Sequence, residues 1–111
     1  MLTRLFVYGT LAPGRSNAHV LSHVAGSWQR ASIRGHLVHA GWGAEQGYPA
    51  VIVDATGPAV EGFVLSSDDL QHEWMRLDEF EGDQYQRVAT QAQLDDGQVV
   101  QVYVYQLAQP G

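Results

Sequence analysis

The chain has 111 residues, of which 45% are apolar and only 16% charged. That is one domain's worth of sequence with material for a core, and it excludes a disordered chain. A formal net charge of −6 with no Lys/Arg cluster repels phosphate backbones and anionic headgroups, which argues against nucleic acid and membrane as partners.

Residues 3–8, TRLFVY, are β-branched and aromatic enough for a buried first strand. The run is far short of the roughly 20 apolar residues of a membrane span, and it gives way to Gly9-Thr10 without a cleavage-site pattern. Pro13 and Gly14 carry a loop, and Asn17 is placed to cap a short helix, AHVLSHV, with Val20, Leu21 and Val24 inward. A strand is expected from Ile33, in IRGHLVHA, and the Gly-rich GWGAEQGYP that follows is a loop. AVIVD from Ala50 and VEGFVLS from Val60 are two further strands.

The clearest helix runs from a Ser67 N-cap to Gly82. Asp68 and Asp69 suit the positive end of the helix dipole, and Leu70, Trp74 and Leu77 fall on one face of a 3.6-residue period. Gly82 ends it as a C′ glycine. YQRVATQAQL and QVVQVYVYQL, separated by Asp95-Asp96-Gly97, read as a closing hairpin. Strands dominate without βαβ alternation, so the expected class is α+β with a mostly antiparallel, barrel-like sheet over residues 1–111.

Glu81 continues the Leu70/Trp74/Leu77 stripe, about three turns beyond Leu70. A carboxylate there loses hydration, and at the helix C-terminus the dipole disfavours its charge. Both effects raise its proton affinity toward neutrality. On pattern alone a second reading stays open, in which the helix frays and Glu81 pairs with Arg87 or water. Asp78 and Glu79 read as solvated. Tyr8-Gly9-Thr10-Leu11 lies where a strand ends, and its N–H groups are suited to an anion-binding nest or to an ordinary turn.

Other chemistries find little support. There is no cysteine, which removes disulfides, thiolate nucleophiles and Cys-based zinc sites and suits a cytoplasmic setting. His19 and His23 are spaced i, i+4, but no third ligand or HExxH glutamate accompanies them, so no metal is expected. Neither GxGxxG nor a P-loop is present, and no base supports Thr10 as the nucleophile of an esterase.

In order and spacing, several short pieces resemble the gamma-glutamylcyclotransferase family in its small AIG2-like branch. VYGTL resembles the family's Tyr-Gly-Ser/Thr-Leu signature, followed by Gly14, Asn17 and Leu21. Tyr48-Pro49-Ala50, Val60-Glu61-Gly62, and LDEFEG with Tyr85 and Arg87 resemble its later motifs. The resemblance implies a mixed, mostly antiparallel β-barrel flanked by two or more helices, with a cavity at one end. It implies Glu81 as the catalytic acid/base, and Tyr8, Gly9, Thr10 and Leu11 as the segment whose backbone binds the substrate. Tyr85, close after Glu81 and on one strand face with Arg87 at i, i+2 spacing, is expected to reach the cavity as a hydrogen-bonding, substrate-binding wall. Arg87 is expected in a structural ion pair.

The implied reaction is of acyltransferase or lyase type. The α-amine of a small γ-glutamyl compound closes on its own γ-carbonyl, releasing 5-oxoproline and an amine, with no cofactor or metal. The rival expectation is a non-catalytic or regulatory protein that binds a γ-glutamyl or similar ligand in the same cavity.

Overall fold

The computed structural model describes residues 3–8, 18–22, 24–39 and 49–108. Gly9, Thr10 and Leu11, the Asn17 cap, His23, and the loop carrying Trp42 and Tyr48 lie outside the described residues. The described residues form six strands: β1 (Arg4–Val7), β2 (Ser27–Val38), β3 (Ala50–Val53), β4 (Ala59–Ser66), β5 (Tyr85–Leu94) and β6 (Val99–Leu107). Among the described residues they are joined by 3-10 helices at Ala18–Leu21 and Asp68–His72 and by the α-helix α1 (Trp74–Glu81).

The strand order is β1-β4-β2-β3-β6-β5, and β6 also pairs with β1. The strands β1, β4, β2, β3 and β6 therefore close on themselves, and β5 is an additional strand on β6 that also touches β2. Long antiparallel ladders make most of the barrel. Two parallel contacts close it, Leu5 with Tyr103 and Val51 with Gln106. The result is the mixed, mostly antiparallel α+β barrel that the sequence implies.

Alternation along the strands divides the core in two. Phe6, Ile33, Val51, Val60, Val64, Val102 and Val104 pack together on one side of the sheet. Leu5, Val7, Leu65 and Tyr105 point the other way and pack with Leu21, Leu70, Trp74 and Leu77 from the helical segments. The VYVYQ stretch thus sends its valines into one cluster and its tyrosines toward the helices, as a period of two requires.

Three elements differ from expectation. β2 begins at Ser27 rather than Ile33, because Ser27–Arg34 pairs with β4 before Gly35–Val38 passes to β3. Gly35 sits at that switch, where a Cβ would meet the Ile52 carbonyl oxygen at 2.6 Å. The first helix is one 3-10 turn, with Val20 and Leu21 buried.

The long helix is also divided. The Ser67 hydroxyl accepts from the Asp69 N–H at 3.1 Å and donates to the Ala25 carbonyl, so the capping role holds. A 3-10 turn follows, closed by the Glu73 N–H on the Leu70 carbonyl at 2.9 Å, and α1 starts only at Trp74. Asp and His are modest helix formers, and a 3-10 turn uses them at little cost. Arg76 then ties α1 back to the first helical turn, donating to the Val20 carbonyl at 3.0 Å and to Glu73 at 2.9 Å.

Candidate active site

α1 presents Trp74, Leu77 and Glu81 as its buried residues. Glu81 keeps only 9% of its surface exposed, so the frayed reading does not hold: the helix reaches Glu81 intact. Gly82 stops it there. Its φ of 78° and ψ of −171° lie in a region open essentially to glycine alone, and its N–H donates to the Asp78 carbonyl at 3.0 Å. The chain then turns into β5, with the Tyr85 N–H on the Gly82 carbonyl.

Burial raises the Glu81 pKa to about 7. Desolvation disfavours the carboxylate and keeps the proton on until near neutrality. Such a group can both accept and return a proton at physiological pH. Its charge is felt by two phenols, Tyr8 at the end of β1 and Tyr105 on β6. Tyr85 also acts on Tyr8 through space and packs against the cluster around Trp74 and Leu77. Of the expected site residues, Glu81 and Tyr85 both act on Tyr8 through space, while Gly9, Thr10 and Leu11 lie outside the described residues.

Tyr8 carries a duty that the sequence does not reveal. Its hydroxyl accepts from the Val51 N–H at 3.0 Å and donates to the Tyr105 carbonyl at 2.9 Å. Burial, opposed by the Val51 hydrogen bond and aided by the Glu81 charge, raises its pKa well above the ordinary phenol value. The phenol therefore stays protonated and holds β3 and β6 where their ladder is a single contact.

Arg87 makes the expected ion pair, and its partner is Asp78, which the helical wheel leaves to solvent. The Arg87 Nε and Nη2 donate to the two carboxylate oxygens of Asp78 at 2.9 and 3.2 Å. The Tyr105 hydroxyl donates to the same carboxylate at 2.6 Å. Burial pushes the Asp78 carboxyl up, but these donors outweigh it and hold its pKa below the usual carboxylate value. The guanidinium lies 4.9 Å from the Trp74 ring and 4.5 Å from the Tyr103 ring, and those rings meet edge to face.

A cleft of about 340 Å³ opens beside this cluster, lined by Asp78, Gly82, Asp83, Tyr85, Arg87 and Tyr105. Among the described residues no three His, Asp or Glu side chains converge as metal ligands, and no helix is long and apolar enough to cross a membrane.

A closed mixed barrel with a buried carboxyl at the end of a flanking helix defines a small α+β barrel. Its relatives give it a family. Residues 5–111 match the model of the family "Gamma-glutamyl cyclotransferase, AIG2-like". Gamma-L-glutamyl-butirosin B gamma-glutamyl cyclotransferase from Niallia circulans is 34% identical over 80 residues, which is 72% of this chain but 46% of that protein. Among solved structures, an AIG2-like protein from Mus musculus superposes with a TM-score of 0.72 at 29% identity, covering 98% of this chain and 79% of that one. YkqA from Bacillus subtilis superposes at 0.73 with 28% identity, over 96% of this chain and 36% of its own. The chain belongs to the gamma-glutamyl cyclotransferase, AIG2-like family.

Proposed function

We propose that the protein is a γ-glutamyl cyclotransferase that releases 5-oxoproline and a free amine from a γ-glutamyl amide. The observation that carries this reading is the buried Glu81, with its pKa near 7, at the end of α1 in a chain of this family. The Niallia circulans relative is named for the same reaction on a γ-glutamyl compound, which supports the substrate class.

The substrate supplies its own nucleophile. Its α-nitrogen attacks the γ-carbonyl carbon and forms the new C–N bond of the five-membered lactam, and the bond to the leaving nitrogen breaks. Glu81 takes the proton that the α-nitrogen sheds and returns it to the departing amine. No net proton, electron or water is consumed. Intramolecular attack in a well-oriented conformer reaches effective molarities on the order of 10⁵ M or more, so much of the rate comes from folding the substrate correctly. The Tyr8–Leu11 segment is proposed to hold the γ-glutamyl head through its backbone, since the Tyr8 hydroxyl is already engaged. Tyr85 is proposed to wall the same space.

The test is incubation of the pure protein with a panel of γ-glutamyl amines and γ-glutamyl dipeptides, reading 5-oxoproline by mass spectrometry. Release from at least one compound is the expected result. Tight binding of such ligands by both wild type and Glu81→Gln, with no 5-oxoproline from any, would replace the enzyme by a binding protein.

A further inference from the structure

α1 is short, eight residues, and its first residue follows Glu73, which makes no side-chain cap hydrogen bond. Helices of that length do not hold themselves in water. Trp74 and Leu77 bury one face, but apolar burial is non-directional and leaves the last turn free to rotate or fray. Several directional contacts of that turn gather at Asp78. Its carbonyl accepts from Gly82, and its carboxylate accepts twice from Arg87 on β5 and once from Tyr105 on β6. Arg87 cannot easily swing away, because Trp74 and Tyr103 flank its guanidinium.

We propose that Asp78 is a positioning residue for Glu81: it clamps the last turn of α1 to β5 and β6 and so fixes where the Glu81 carboxyl points. Glu81 lies three residues on, on the adjacent line of the same helix. The clamp stands on the barrel side that bears Tyr105, one of the two phenols acted on by the Glu81 charge. The Asp78 side chain is 44% exposed and that of Arg87 24%, so the pair adds little to global stability. Its bidentate geometry, with a third donor, instead gives direction. The role in turnover rests on the cyclotransferase reading, whereas the role in holding the turn does not.

The test compares Asp78→Asn, Tyr105→Phe and the double variant with wild type. Four quantities are read: kcat and KM per folded molecule, exchange of the Gly82 amide, and ¹³C titration of the Glu81 carboxyl. With Asp78→Asn, kcat should fall on the order of 10- to 100-fold, the scale of a small misplacement at a reacting centre, while KM changes by less than about threefold. The Gly82 amide should exchange at least about 10-fold faster, and Glu81 should titrate at lower pH as its turn opens to water. The double variant should cost no more than the worse single one, since the groups act as a unit.

Turnover, exchange and titration all like wild type would overturn the proposal. So would faster exchange with unchanged kcat, or a lower kcat with unchanged exchange and titration. If wild type turns over no γ-glutamyl compound, it is the cyclotransferase reading that fails. The Gly82 and Glu81 measurements then decide alone whether Asp78 holds this turn.

Discussion

The hydroxyl of Tyr8 joins the Tyr105 carbonyl, 97 residues away in sequence, to the Val51 N–H, and so bridges β6 and β3 across one of the two seams of the barrel closed by a single parallel pair. Removing the oxygen strands two buried main-chain groups without a partner. Tyr8→Phe should therefore lower unfolding free energy by about 1–3 kcal/mol, the usual cost of an orphaned buried donor or acceptor. Denaturant unfolding with an unchanged slope is the check. A variant as stable as wild type would mean that the seam is held by its side chains alone.

Gly62 explains one short motif of the sequence. A Cβ there would meet the Val7 carbonyl oxygen at 2.4 Å and the Phe6 ring at 2.6 Å, so β1 and β4 approach too closely for any side chain. Backbone cannot yield as a flexible side chain can. Gly62→Ala should cost about 1–3 kcal/mol or more by overpacking, read as a lower midpoint in the same denaturation experiment.

What is legible in the chain is local. The Asp95-Asp96-Gly97 turn, with Gly97 at φ 91°, fixes the β5–β6 hairpin at the residues the pattern marks. Glu81 stands out because an apolar stripe predicts an apolar neighbour. The front of β2 does not, since Ser27–Ser32 shows no apolar alternation of its own and is defined as strand by its β4 partners. The duties of Asp78 and Tyr8 are hidden for the same reason. The partners that define them sit 9, 27, 43 and 97 residues away, and spacing along one element carries no information about them.

Glu81→Gln tests the proposed chemistry. Glutamine keeps the shape but cannot take the proton, so kcat should fall by at least about 10², the scale for losing a positioned acid/base. Binding of a γ-glutamyl ligand should persist. In wild type, kcat/KM should rise with pH through a limb near the Glu81 pKa of about 7, because the base form begins the reaction. Full turnover in the variant, measured as 5-oxoproline, would remove Glu81 from the mechanism.

The same substitution should reveal a stability cost that grows with pH. Unfolded, Glu81 ionises near 4.5, whereas the folded protein keeps its proton until about 7. Between those values the folded state binds more protons than the unfolded one, so wild-type stability falls as pH rises. The contribution is fully present below pH 4.5 and gone above about 7. The separation in pKa corresponds to a loss on the order of 3 kcal/mol. A glutamine in this position has no proton to lose, so every other titration cancels in the difference between the two proteins. Urea unfolding of wild type and Glu81→Gln at several pH values should show the variant gaining on wild type across pH 4.5–7, then a constant gap. A difference that does not change with pH would mean that Glu81 ionises alike in both states and that its burial imposes no charge penalty.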